Sequence, residues 1–192
     1  MSATTALVVP LRAFDLGMER LAGSLDREER SRLARRLADR VVDAALGLTS
    51  AVVSSAPEVV AWAATRGVEV LEDPGSLDAA AEAGRRWARA NGFARIVVAH
   101  ADLADVTSFD PVARDAAREI VTLVPDHRDD GTPVLSVPVA VDFRFSYGPN
   151  SFRRHAAEAR RLGVGLRVVR SAALGFDVDT PDDLERLTIP AR

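Results

Sequence analysis

A chain of 192 residues, 47% hydrophobic and 28% charged with a formal net charge of -3, is long enough to bury a real core. Its charge balance supplies no bulk electrostatic pull toward nucleic acid, and its lack of cysteine excludes disulfides, thiolate zinc sites and cysteine nucleophiles. No segment approaches the roughly 18 consecutive apolar residues of a membrane span, and no basic stretch precedes an apolar run at the N-terminus. These features lead us to expect one cytoplasmic domain over residues 1–192, with neither a membrane nor a nucleic acid as partner; a homodimer is compatible with them but not specified.

In chain order, Ala6-Leu7-Val8-Val9 reads as a first strand. Asp26-Arg27-Glu28-Glu29 has the form of a capping box, opening a helix whose Leu33, Leu37, Val41 and Ala45 make one apolar stripe. The arginines of that helix alternate with Glu28, Glu29 and Asp39 and lack aromatic neighbours, which describes a solvated face. Ala51-Val52-Val53 is a second strand, Pro57 starts a helix that stops near Gly67, and Val68 to Leu71 gives a third strand. Ser76 caps a helix running to about Gly92, and a strand ends near Ala99. Asp110-Pro111 begins a helix before the strand Ile120 to Val124. This alternation predicts an α/β fold: an open, mostly parallel twisted sheet with helices on both faces, whose ligands bind beyond the carboxyl ends of the strands.

The second half changes texture. Pro133 to Ser146 alternates like a small β excursion, and Pro138 restricts it to an edge or a bulge. Tyr147-Gly148-Pro149-Asn150-Ser151-Phe152 leads into a helix from Arg153 to Leu162, ended by Gly163. The start of that helix is either a plain cap or an anion site built from free backbone N–H groups. His127-Arg128-Asp129 copies part of a kinase string but has no glycine-rich loop or lysine before it, and it is set aside.

Carboxylates gather at strand ends. Asp177 and Asp179 are one residue apart, ahead of Thr180-Pro181, a natural N-cap and first helical residue; Asp102 follows the apolar run Ile96 to Ala99. Singly, each reads as a turn or cap residue; together they form a candidate Mg²⁺ site, since that ion takes one or two carboxylates and leaves room for substrate phosphates.

Val9-Pro10-Leu11-Arg12, Met18-Glu19-Arg20-Leu21, Ala101-Asp102-Leu103 and Gly131-Thr132 occur in family order. So do Phe145 to Phe152 with His155, and Phe176 to Leu184. Together they resemble the phospholactate and phosphoenolpyruvate guanylyltransferases of coenzyme F420 biosynthesis, related to the molybdenum-cofactor nucleotidyltransferases and of nucleotide-diphospho-sugar transferase-like fold. The resemblance implies transfer of GMP from GTP to the phosphate of a three-carbon phospho-acid, with pyrophosphate released. It implies Mg²⁺ on Asp102, Asp177 and Asp179, and Arg12 and Arg20 facing the triphosphate. It further implies Thr132 and Ser151, with backbone at Gly131 and Gly148, around the acceptor acid, and Asp78 accepting from guanine. His155 reads as structural, bonding a neighbouring carbonyl.

Several positions depart from the family pattern. Met18 replaces a phosphate-facing lysine, Ala104 a proline, Asp78 an asparagine, and Pro133 follows Gly131-Thr132, where its ring removes a backbone donor. The alternative reading is therefore a catalytically impaired homologue that binds a nucleotide or a partner protein as a regulatory subunit.

Overall fold

The computed structural model describes residues 5–113 and 119–187. The chain runs β1 (Thr5–Pro10), two 3-10 turns (Phe14–Leu16 and Glu19–Leu21), α1 (Arg27–Asp43), β2 (Thr49–Val53), α2 (Pro57–Thr65), β3 (Glu69–Leu71) and α3 (Leu77–Ala90). It continues through β4 (Arg95–Ala99), α4 (Asp110–Ala113), β5 (Ile120–Val124), β6 (Val134–Pro138), α5 (Ser151–Arg161), β7 (Gly165–Val168) and α6 (Pro181–Glu185). The helix starts are the ones their side chains dictate. Asp26 accepts from the Glu29 N–H while the Glu29 carboxylate accepts from the Asp26 N–H. Ser76 accepts from Ala79 N–H, and Thr180 forms a second capping box with Asp183. Pro57 and Pro181 occupy first-turn positions where no N–H is missed.

Seven strands form one sheet in the order β3-β2-β1-β4-β6-β5-β7, parallel except for β6, which is antiparallel to both neighbours. Alternation along β1 splits the core in two. Leu7 and Val9 face a layer with Ala34, Ala38 and Val41 of α1 and Val59 and Trp62 of α2; Ala6 and Val8 face Ala80, Ala81 and Ala88 of α3 and Ala156 and Ala159 of α5. Helix α3 rides close on β1, because a Cβ at Gly84 would stand 2.4 Å from Val8 Cγ1. A third cluster joins Leu33 and Leu37 of α1 to Leu21, Ala104, Phe176 and Val178, so the segment carrying Asp177 is packed onto α1.

The predicted α/β architecture is the observed one. Three details differ. The Pro133 to Ser146 segment supplies β6, which lies inside the sheet between β4 and β5 and not at its edge; Pro138 is tolerated because it is the last residue of the strand, opposite Arg95. Helix α5 begins at Ser151, two residues ahead of the expected start. Strand β7 was not anticipated, since Gly165, Leu166, Arg167 and Val168 neither alternate nor form an apolar run, and none is buried.

Candidate active site

An isolated antiparallel bridge between Leu103 and Asp177 builds the centre of the site. Ala104 N–H donates to Phe176 O at 3.0 Å and Val178 N–H to Asp102 O at 3.2 Å, which fixes the two acidic segments side by side beyond β4. One ligand atom each from His100, Asp102 and Asp177 then lies within 4.8 Å of the others. Asp102 Oδ1, Asp177 Oδ1 and His100 Nε2 are all buried with no hydrogen-bond partner among the described residues. Burial pushes the Asp102 carboxyl up to about 6, with the His100 charge opposing and the carboxylates of Asp177 and Asp179 adding to the rise. Asp177 moves the same way, again from burial first. Leaving such oxygens unpaired costs about 1–3 kcal/mol each, so the pair is arranged for a positive charge from outside the chain, and a hard divalent cation matches the donor set.

The expected third carboxylate stands apart. Asp179 is ion-paired with Arg20, and His100 completes the half-buried trio in its place. Arg20 is exposed, so this pair contributes little stability and is open to exchange.

A cavity of ≈ 360 Å³ opens beside the trio, lined at the carboxyl ends of β1, β2 and β4 by Pro10, Arg12, Val53 and His100 to Asp102, and across from them by Met18, Ser76 and Leu77. Arg12 is exposed and makes no hydrogen bond or ion pair among the described residues. Met18, at φ 57°, sits on the cavity wall and packs against two of the apolar clusters. Asp15, which sequence alone leaves as added negative charge near this loop, is paired with Arg27. Asp78 is not on the wall: its Oδ1 accepts from Tyr147 N–H at 2.6 Å, tying α3 to the following loop.

Three consecutive N–H groups at the start of α5 are engaged within the protein: Asn150 N–H donates to Asp130 Oδ1, Ser151 N–H to Gly148 O and Phe152 N–H to Asp130 O. Gly148 holds φ +99°, a turn conformation L side chains rarely adopt. Behind it, buried Thr132 Oγ1 lies 3.2 Å from Ser151 Oγ and 3.1 Å from His155 Nδ1, while His155 Nε2 accepts from Ser146 N–H at 2.9 Å. Burial lowers the His155 pKa to about 4, with Arg154 adding to the fall, so the ring is neutral. An accepting Nε2 assigns the proton to Nδ1, which therefore donates to Thr132. Two hydroxyl protons then serve one Thr132–Ser151 bond, and one O–H of the pair has no acceptor in the network. His155 is structural as expected, but through a hydroxyl and a backbone N–H, not a carbonyl.

Sequence reasoning gave no structural role to Asp126, Arg128 or Asp130. Asp126 accepts from the N–H groups of Arg128, Asp130 and Gly131, and Arg128 Nη2 reaches Asp183 Oδ1 and Oδ2 at 3.0 and 2.9 Å. Asp183 also accepts from Thr180 N–H at 2.9 Å. One loop thus clamps both the Asp177–Asp179 segment and the start of α5. The signal for it, Asp-x-Arg-x-Asp-Gly, was readable only as a turn.

The family model described as guanylyl transferase CofC like matches residues 5–191. The chain is 36% identical over 191 residues to a phosphoenolpyruvate guanylyltransferase of Sphaerobacter thermophilus, covering 96% of this chain and 92% of that protein. It is 29% identical over 199 residues to a 2-phospho-L-lactate guanylyltransferase of Methanothermobacter thermautotrophicus, covering 96% and 84%. Among solved structures, a nucleotide-diphospho-sugar transferase of Desulfovibrio desulfuricans G20 superposes with a TM-score of 0.79 at 14% identity, over 97% of this chain and 87% of that one. With the match running through the strand ends, the acidic bridge and the Tyr147 loop alike, the chain belongs to the guanylyl transferase CofC-like family.

Proposed function

We propose that this nucleotidyltransferase moves GMP from GTP to the phosphate of phosphoenolpyruvate, releasing pyrophosphate, as a step toward coenzyme F420. The observation that carries this reading is the half-buried Asp102–Asp177 pair, one oxygen of each buried without a partner, with Asp102 on the wall of a cavity that also holds the unpaired Arg12. Phosphoenolpyruvate is placed ahead of 2-phospholactate because the relative that uses it by name stands at 36% identity, against 29% for the phospholactate relative. An oxygen of the acceptor phosphate attacks the α-phosphorus, the bond to the β-phosphate breaks, and pyrophosphate leaves; the chain's work is alignment and charge neutralisation. Asp102 and Asp177 would hold Mg²⁺, which would supply charge compensation for the nucleotide phosphates. Arg12 faces the triphosphate from the cavity wall, and Arg20 exchanges Asp179 for phosphate when the nucleotide arrives, which frees Asp179 to join the acidic group. Thr132 and Ser151 offer their spare O–H to the acceptor, with Gly148 shaping the turn. Asp78 acts by holding Tyr147, and through it the acceptor loop. Incubation with GTP, Mg²⁺ and a panel of phosphorylated acids tests the reading: pyrophosphate release with phosphoenolpyruvate is expected, and release with no acid in the panel overturns it.

The acceptor assignment is tested separately. Ser151→Ala should raise the KM of the acid by about tenfold or more and that of GTP less than about twofold, since only the acid loses a charge-assisted contact. Equal rises in both would make Ser151 a packing residue.

The competing reading, a subunit without catalysis that binds a nucleotide or a partner protein, rests on Met18. Met18→Lys returns a cation to the cavity wall and should lower the KM for GTP and raise pyrophosphate release about tenfold, the worth of one charge-assisted phosphate contact. A neutral result would assign the role to Arg12. Failure of GTP binding in both proteins, measured by calorimetry, would favour a non-catalytic subunit that binds a partner protein.

A further inference from the structure

The half-buried trio differs from an all-oxygen site in one respect. Beside the two carboxylates stands an imidazole, His100, whose Nε2 is buried and has no partner among the described residues. A histidine ring held in place only for packing ordinarily finds a hydrogen bond for each nitrogen; this one has a buried, unpartnered Nε2 and a ligand nitrogen within 4.8 Å of a carboxylate oxygen of each aspartate, which is the donor set of a cation site. The ring is also held from behind, by Tyr147 at 5.7 Å between centroids, and Tyr147 is itself packed edge-on against His155 at 4.9 Å. The acceptor loop thus packs one ring against His100.

We infer that His100 is a third ligand of the divalent cation, beside Asp102 and Asp177, and that it makes the site of this chain selective for Mn²⁺ over Mg²⁺. The inference rests on reading the Asp102–Asp177 pair as the cation site of the proposed transferase. Its chemistry is general: Mg²⁺ is small, hard and reluctant to exchange water for nitrogen, whereas first-row transition ions accept imidazole readily, and one N ligand in a carboxylate site separates the two. Asp179, engaged by Arg20, leaves the nucleotide-free protein with an N,O,O set in place of three oxygens.

The direct test needs no variant. Wild-type protein titrated with Mn²⁺, alone and with a non-hydrolysable GTP analogue, should bind the ion at least about tenfold more tightly than Mg²⁺ in competition. Pulsed electron paramagnetic resonance of the bound Mn²⁺ should show hyperfine coupling to one directly bonded nitrogen. His100→Phe keeps a ring against Tyr147, and should remove that coupling, weaken Mn²⁺ about tenfold or more and change Mg²⁺ less than about threefold. Bound Mn²⁺ without nitrogen coupling in the wild type overturns the role of His100 while leaving the acidic site standing. No binding of either ion, alone or with the analogue, overturns the cation site as a whole. A His100→Phe variant that loses both ions equally, with its melting temperature unchanged, also overturns the selectivity.

Discussion

Asp102→Asn should cost on the order of a thousandfold in GMP transfer and at the same time make the metal-free protein more stable. The first effect follows from removing one of two buried carboxylates arranged for a cation, an interaction worth several kcal/mol of transition-state charge stabilisation. The second follows from linkage. The folded state holds the Asp102 carboxyl at about 6, above its ordinary 3.8, so the stability it contributes is complete below 3.8 and is lost as pH rises through about 6. At pH 7 the buried charge therefore costs roughly 2–3 kcal/mol, which a neutral amide of the same shape does not incur. For a chain of this length that is a rise in Tm of about 4–10 °C. His155 runs the opposite way: with its pKa lowered to about 4, its contribution is complete above 6.5 and is lost as pH falls through about 4. Both proteins share it, so it cancels in the difference between their melting curves. That difference should be large at pH 7 and close to zero below pH 4. Added Mg²⁺ should raise the Tm of the wild type and leave the variant unmoved. A variant that melts at the wild-type temperature at pH 7, or that retains a tenth of the transfer rate, would mean that the acidic pair is not a cation site.

Much of the fold was legible because its signals are local. Apolar runs marked the core strands, and Asp26, Ser76 and Thr180 announced their helices three residues ahead of the N–H groups they cap. Strand β6 was harder, since Pro138 argues against an interior strand unless the strand is known to end there, and only the pairing with Arg95 shows that it does. Strand β7 pairs with β5 through its backbone while its side chains are partly exposed, so no hydrophobic period records it. The site divides in the same way. Asp102 and Asp177 could be read as acids after apolar runs, but the place of His100 beside them depends on the Leu103–Asp177 bridge, which joins segments distant in sequence. Asp179 lies near Asp177 in sequence but outside the half-buried trio, because Arg20 engages it. The start of α5 had the sequence of an anion site, and two of its N–H groups, those of Asn150 and Phe152, are taken by Asp130, a residue no local pattern connects to it.

The same long-range logic makes Arg128 the residue whose loss should unsettle the site from outside it. Its guanidinium and Asp183 are 55 residues apart in sequence, and the Asp183 side chain is 1% exposed while that of Arg128 is 41%. Burial alone would raise the Asp183 pKa, but Arg128, Thr180 and the N–H groups of Thr180 and Asp179 hold it below its ordinary value. Arg128→Ala therefore leaves a buried carboxylate with only its cap bonds and His127 Nε2 at 3.3 Å. Breaking a fully buried pair costs about 3–5 kcal/mol; with the arginine partly in solvent, about 2 kcal/mol is expected, or a fall in Tm of roughly 4–8 °C. The depressed Asp183 pKa contributes stability above 3.8 that is lost as pH falls through its folded value, and the variant should lose less of its remaining stability on acidification than the wild type. Asp183→Asn in the Arg128→Ala background should recover part of the loss, because a neutral amide does not need the cation; that recovery separates an electrostatic pin from simple packing. Transfer should fall further than stability does. The Asp183 cap orients Asp179 and Thr180, directly after the bridge that places Asp177 against Asp102, and a displacement near 1 Å at such a point can cost about a hundredfold in rate. Mn²⁺ affinity should weaken in parallel, since the same displacement moves a ligand. Wild-type transfer and Mn²⁺ binding in a destabilised Arg128→Ala protein would show that the Leu103–Asp177 bridge positions the carboxylates unaided.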